Sequence, residues 1–440
     1  MRTSVILSMK AQPQLRASAE AAVATGAGKF MMAKLPSFAG LLIDESFAAI
    51  ALPGATPAGA SLEMSTPSKA PAFLARGTIE VDRPEDIAFE HDGIQVFADP
   101  EIGLYPVCGS SPPHGNASDV AKNLRVAELA KRGLTGYRVA VAVVDTGINL
   151  AHLRSMGLKP RFNKKITIAP PGVAVSPGSY PVDHGTMCAF DVLIAAPKAT
   201  LLDIPTLLST TPGGSAMSGF LSDALRAFSY LLNKVNASGW NYKALVINNS
   251  WGMFHPSWDF PPGHPGRYAD NPNHPFNIVT GTLASAGADI LFAAGNCGAN
   301  CPDSRCQNVV TNTITGAHAH PAVLTVAGCD TTGARVGYSS QGPAIAGMGA
   351  TKPDIAAHTH FLGSTAFGAA EPDSGTSAAC PVAAGCVAAL RTKLPFKQVA
   401  TAQVFAALRQ TASAAGAPGW NADYGHGIIQ PDPAGLQLGV

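Results

Sequence analysis

The stretch YRVAVAVVD at 137–145 limits the fold more than any other part of this chain. From Val139 on it is an unbroken apolar run that ends on an acid. A strand with one wet face alternates apolar and polar residues, so a run without polar positions is covered on both faces, as in a parallel sheet. Later segments repeat the form: ATLLDI at 199–204, ALVIN at 244–248, ADILFAAG at 288–295 and AVLTVAG at 322–328. Helical spacing lies between and after them, behind Ser118, from His184, and over 218–235, 277–286, 376–394 and 398–411. Strands alternating with helices predict an α/β fold over 119–440, a doubly wound, mostly parallel sheet with helices on both faces.

What precedes this domain reads differently. Residues 1–70 are an extension rich in Ala, Pro and Ser without a clear period. Over 71–107, two strand-like runs (73–81 and 93–102) flank an acidic piece, so a small α+β segment is expected before the main domain. Residues 108–118, within PVCGSSPPHGNAS, have the composition of an exposed linker.

Charge and composition exclude several classes. A net charge of +1 gives no pull toward nucleic acid or an anionic membrane, and neither is expected as a partner. No apolar run reaches about eighteen residues, so no membrane-spanning helix is expected. Lys10 cuts the apolar stretch 4–9 short of a secretory core, and the eight cysteines do not form a small secreted framework. A reduced, cytoplasmic protein is the simplest expectation, with secretion as the alternative.

Ligands of an open parallel sheet bind beyond the carboxyl ends of its strands. Asp145, Asn249-Ser250-Trp251-Gly252 and Gly295-Asn296 all stand at such ends. His184 and Ser377 open helices, whose first N–H groups favour developing negative charge. Acyl transfer needs a nucleophile, a base, a carboxylate that orients the base, and donors for the oxyanion. Ser377, His184, Asp145 and Asn296 fill those roles in the chain order Asp, His, Ser. Ser377 lacks the G-x-S-x-G elbow of the α/β-hydrolases.

These pieces resemble the subtilisin-like serine peptidases (subtilases): VAVVDTGI, HGT, NNSWG, AAGN and GTSAACPVAAG, in that order. AAPKATLLDI, YSSQGPA, KPDI and YGHGIIQ are weaker echoes, and the likeness spans about 119–436. It implies a serine endopeptidase with catalytic Asp145, His184 and Ser377 and an oxyanion donor in Asn296. It also implies that Ser250, Trp251 and Gly252, with Ala293, Ala294 and Gly295, bracket a protein or peptide substrate bound as an extended strand. Trp251 either walls the pocket or is a core aromatic. Two other functions stay open on this scaffold, silent peptide binding and transfer of the acyl group to an amine.

The chain departs from the family after His184, where no length remains for the usual calcium loop, so no metal or other cofactor is expected. The insertion-like stretch 253–276 is a lid, a recognition surface or a passive loop. In CGANCPDSRC at 297–306 a local disulfide or free thiols fit better than zinc, since the spacing is not that of a zinc site. Cys188, Cys380 and Cys386 read as small core residues. Residues 76–102 resemble the end of a subtilase inhibitory propeptide, which implies that residues before 118 restrain the catalytic domain. A permanent accessory subdomain is the other reading.

Overall fold

In the computed structural model, which describes residues 2–10, 40–52, 72–104, 111–210, 218–349 and 351–440, the N-terminal residues build a sheet of their own. Strands β1 (Arg2–Lys10), β2 (Leu41–Ile43), β3 (Ile50–Leu52), β4 (Ala72–Glu80), β5 (Glu90–His91) and β6 (Ile94–Ala98) form it, with β1 antiparallel between β4 and β6. Alternation sorts its side chains. Val5, Leu7 and Met9 face a local core with Phe73, Ile79, Ile94 and Val96, whereas Ile6, Leu74 and Phe97 face the main domain. The stretch 4–9, too short for a secretory core, is thus a central strand. Residues 1–70, expected only as an extension, supply β1 to β3; 11–39 and 53–71 lie outside the described residues. The strand expected over 93–102 is two strands, β6 and β7 (Glu101–Leu104), because Pro100 has no N–H to continue a ladder.

The described part of the expected linker, 111–118, is docked. His114 N–H donates to the His360 carbonyl (2.7 Å), Ala117 N–H to the Leu362 carbonyl (2.8 Å), and His114 Nδ1 lies 3.1 Å from Asp330. Helix α1 (Ala117–Asn123) is capped by Asn116 instead of Ser118: the Asn116 side chain accepts from Ser118 and Asp119, and Asp119 returns a bond to the Asn116 N–H. A left-handed Arg125 (φ 55°) ends that helix and starts α2 (Val126–Lys131).

The main domain then runs β8 (Val139–Asp145), α3 (Leu150–Ser155), β9 (Arg161–Phe162), α4 (His184–Ala195), β10 (Thr200–Pro205), β11 (Ser218–Phe220), α5 (Leu221–Asn236), β12 (Ala244–Asn249) and β13 (Trp251–Gly252). It closes with α6 (Pro275–Ser285), β14 (Asp289–Ala293), β15 (Leu324–Cys329), β16 (Ile355–His358), α7 (Thr376–Arg391), α8 (Thr401–Gln410) and α9 (Pro431–Gln437). Seven strands make one parallel sheet in the order β16-β15-β14-β12-β8-β10-β9. Along β8, Val139, Val141 and Val143 join the core under α4 and α7, while Ala140, Ala142 and Val144 join the core under α5 and α6. The continuous apolar run therefore serves two faces, as expected. The chain leaves β8 toward β10 and returns to β12 on its other side, which opens a crevice beyond β8 and β12. Helices α3 and α9 and strand β16 were not anticipated. The helix expected over 218–235 begins only at Leu221, since 218–220 form β11. Among the described residues no helix is long and apolar enough to cross a membrane.

Candidate active site

Asp145 ends β8 in that crevice, and both its carboxylate oxygens face His184 Nδ1, at 2.9 and 3.0 Å. Thr146 N–H donates to Asp145 Oδ1 (2.8 Å), which leaves the carboxylate little freedom to turn. His184 is the first residue of α4, started by Asp183, whose side chain accepts the His184 N–H (2.7 Å). Gly185 allows this helix start to sit on the Asp145 loop, because a Cβ there would stand 2.5 Å from the Gly147 carbonyl oxygen.

Ser377 lies in the first turn of α7, after Gly375 at φ 77°. Pro381 sits four residues on, inside the helix, and has no N–H for the Ser377 carbonyl. That carbonyl instead accepts Ser250 Oγ–H (3.0 Å) and the Cys188 thiol (3.6 Å). Helices α4 and α7 pack closely because Gly385 has no side chain; a Cβ would stand 2.4 Å from the Val192 carbonyl oxygen. At its far end α7 is pinned by a buried bidentate pair, Arg391 to Asp289 of β14, at 2.6 Å for both bonds. Ser377 Oγ donates to the Ser250 carbonyl (3.1 Å), while His184 Nε2 is buried without a hydrogen bond. His184 and Ser377 are thus gathered but not hydrogen-bonded to each other.

Asn296 follows β14. Its Oδ1 accepts Thr376 N–H (2.9 Å) and Thr376 Oγ–H (3.0 Å), which fixes the amide with its NH₂ as the donor end. Thr376 Oγ1 also accepts the Gly295 N–H (3.0 Å). One threonine thereby ties the start of α7 to the Asn296 turn.

The cleft beside these residues holds a strand of the same chain. β7 lies between β13 and β11, antiparallel to both, with Leu104 opposite Trp251, Gly103 opposite Gly252 and Ser218, and Ile102 opposite Gly219. The Ser250-Trp251-Gly252 segment is therefore one rail of the strand, through its backbone. The Trp251 side chain does not wall the cleft: it is fully buried, donates Nε1–H to the Val144 carbonyl (3.0 Å) and meets Phe292 edge-on. An indole N–H needs an acceptor when buried, and the end of β8 supplies it. The second rail is 218–220, which sequence reasoning placed in a helix. Ala293, Ala294 and Gly295 pair with none of the described cleft residues and stand at the end of β14 beside Asn296.

Buried charge around the site has further roles that no motif announced. Asp203 accepts the Gly178 and Ile148 N–H groups (2.8 and 3.3 Å), and burial raises its pKa to about 7. Asp191 of α4 is fully buried, and the nearby carboxyl of Asp373, four residues before Ser377, adds to the rise of its pKa. Burial pushes Asp191 far above the carboxylate range and Asp373 to about 6, while Ser364 N–H and Oγ–H (both 2.6 Å) favour charge on Asp373. Cys188, read as a core residue, is buried but also lies 3.6 Å from Asp145 and 3.7 Å from His184 Nδ1. These three form the one group of potential metal ligands among the described residues, and its atoms already engage one another. Cys297 and Cys306 form a disulfide, and Cys301 is also disulfide-bonded.

Stretch 253–276 lies against the N-terminal sheet. The Gly266 carbonyl accepts Ala98 N–H (2.9 Å), His274 bonds the Ala98 carbonyl (2.9 Å), His264 bonds the Ile87 carbonyl (2.8 Å), and Phe260 enters the local core. Nearby, Asp99 accepts both the N–H and Oγ–H of Ser222 (2.7 Å each) at the start of α5, and Arg76 pairs with Asp223 (2.8 Å).

A solved structure, MycP1 from the ESX-1 type VII secretion system, has a similar fold at TM-score 0.50 and 20% identity, over 76% of this chain and 90% of that one. Fervidolysin of Fervidobacterium pennivorans is 27% identical over 68% of this chain, a match that spans only 41% of fervidolysin's length. Subtilisin E of Bacillus subtilis and a subtilisin of Bacillus pumilus are each 25% identical over 71% of this chain, covering 69% and 96% of their own lengths. Residues 136–427 match the subtilase family profile, and the chain belongs to the subtilase family of serine-type endopeptidases.

Proposed function

We propose that the chain hydrolyses peptide bonds through an acyl-enzyme on Ser377, with His184 as general base and then acid, Asp145 orienting it, and Asn296 in the oxyanion hole. The observation that carries this reading is the two-oxygen grip of Asp145 on His184 Nδ1, beside a serine at a helix start. Accepting Nδ1–H, Asp145 leaves Nε2 as the basic nitrogen. Ser377 Oγ turns from the Ser250 carbonyl toward Nε2, gives up its proton there and attacks the substrate carbonyl carbon. The electron pair moves onto the carbonyl oxygen, which meets the Asn296 NH₂ and first-turn N–H groups of α7. His184 passes its proton to the leaving amine nitrogen as the C–N bond breaks. Water then repeats the sequence and frees the acid.

The substrate binds as β7 does, as a strand between Ser250-Trp251-Gly252 and 218–220. Ala293, Ala294 and Gly295 leave room for the side chain that precedes the scissile bond. Residues before 118 restrain the enzyme intramolecularly, since β7 fills the substrate's place. A tether holds such a segment at roughly millimolar local concentration, so modest intrinsic affinity closes the cleft. The Cys297–Cys306 disulfide favours secretion over the cytoplasm, because such bonds persist in oxidising compartments.

A fluorophosphonate probe tests the assignment. It is expected to label the wild-type chain, faster once the N-terminal segment is displaced, and to leave Ser377→Ala unlabelled. Equal labelling of both chains refutes it.

A further inference from the structure

Two sequence features have no part in the reaction above, the cysteine-rich loop after Asn296 and the insertion 253–276. They meet at Arg305. The Cys297–Cys306 disulfide closes the loop on itself, and Asp303 N–H donates to the Asn296 carbonyl (2.9 Å), so the loop starts from the candidate oxyanion residue. Asp303 is buried and orients Arg305, accepting its N–H (2.8 Å), its Nε–H (3.3 Å) and, on Oδ2, its Nη2–H (3.3 Å). From the insertion, Phe254 presents its ring face to the guanidinium, 3.6 Å from carbon to ring centroid. So fixed, Nη2 donates to the carbonyl of Leu104 in the cleft strand. Alongside, a Cβ on Gly103 would stand 3.4 Å from Arg305 Nη1, 3.8 Å from Ser218 Cβ and 3.9 Å from Phe254 Cε2.

We propose that Arg305 and Phe254 form a substrate subsite: Arg305 holds the main-chain carbonyl of the residue seated where Leu104 lies, and the pair favours a small residue where Gly103 lies. This rests on the reading of β7 as occupying the substrate cleft. The carbonyl contact is independent of substrate sequence and adds a charge-assisted bond to those of the two rails. Selectivity comes from the neighbouring position, where a Cβ already makes van der Waals contact with Arg305, Ser218 and Phe254, so that a longer side chain crowds the braced guanidinium. The preferred substrate is an extended peptide with a small residue at that position.

The test uses the full chain carrying Ser377→Ala, which cannot cleave itself, and follows hydrogen–deuterium exchange of the 101–104 amides. Arg305→Ala is expected to speed exchange there about ten- to a hundredfold, the range for losing a bond to a charged donor, and Arg305→Lys less. Gly103→Leu is expected to speed it in the Arg305 chain and distinctly less in Arg305→Ala, where the crowding is relieved. Unchanged exchange at 101–104 in Arg305→Ala, or a Gly103→Leu effect of equal size in both backgrounds, overturns the proposal. If Arg305→Ala does not fold, Arg305→Gln, which keeps a long stem, takes its place under the same two criteria. Exchange does not depend on catalysis. Failure of the wild-type chain to react with fluorophosphonate overturns the peptidase reading instead and leaves this measurement valid.

Discussion

The seven-stranded sheet and the N-terminal sheet bury their faces in different ways. The parallel sheet is covered on both sides by helices that follow its own strands, with Val139, Val141 and Val143 on one face and Ala140, Ala142 and Val144 on the other. The antiparallel sheet completes only one core from its own strands plus Phe260; its other face, with Ile6, Leu74 and Phe97, shares a core with α5 and α6. The core over α5 and α6 is therefore common to both units. That shared interface also includes ionisable groups: Asp99 on Ser222, and Arg76 between Asp44 and Asp223.

The largest expected effect touches the parallel half alone. Ser377→Ala should abolish turnover of a peptide substrate while the far-ultraviolet circular dichroism and melting of the chain stay close to wild type. Residual turnover at the wild-type rate breaks the assignment.

Docking of the N-terminal sheet should depend on pH. Burial lifts Asp99 to about 7, with Arg76 and the Ser222 bonds opposing and Asp223 adding to the rise. The docked state therefore binds more protons than the released one between about pH 4 and 7. Docking weakens as pH rises through that window and is constant above it, by at most about a thousandfold for a three-unit difference. Fluorophosphonate labelling from pH 4 to 8, compared with its rate on the short-circuited variant Asp99→Asn, reads this out. A pH profile that Asp99→Asn does not flatten sinks the idea.

Within the parallel half, Asn296→Ala should lower kcat about 10²–10³-fold with little change in KM, the range already known for subtilisin. Steady-state kinetics checks it, and a wild-type kcat would reduce Asn296 to a turn residue.

Asp373 gives a smaller effect on stability. Its folded pKa, about 6, lies above the unfolded value, so stability falls as pH rises from about 4 through 6. A rise of roughly two units corresponds to on the order of 3 kcal/mol. Chemical denaturation at pH 4 and 7 should show that slope in the wild type and a shallower one in Asp191→Asn/Asp373→Asn. The smallest effect expected is that of EDTA, which should leave peptide turnover unchanged. Loss of turnover restored by calcium or zinc would overturn the assignment of no metal.

Most of the candidate site was legible because its residues sit at ends of local elements. Asp145 ends an apolar run, His184 and Ser377 begin helices, and Asn296 follows another strand; topology converts such ends into one crevice. Trp251 was ambiguous because a tryptophan beside a cleft and one beneath it have the same neighbours in sequence. The 218–220 rail was hidden because three residues before a strongly amphipathic helix carry no period of their own. The Asp191–Asp373 pair joins residues far apart in the chain that belong to no common motif.

The sequence by itself determined the parallel sheet, the chain order of the candidate residues Asp145, His184 and Ser377, and the strand-like character of the segments before residue 104. Hydrophobic period and helix or strand ends are local properties, and they survive in a bare string of residues. Only the tertiary structure decided that Glu101–Leu104 lies between two rails, that Trp251 turns inward, that 253–276 backs the N-terminal sheet, and that Arg305 reaches the Leu104 carbonyl. Each of those depends on a donor or acceptor finding a partner from a distant part of the chain, and partner choice is made by packing.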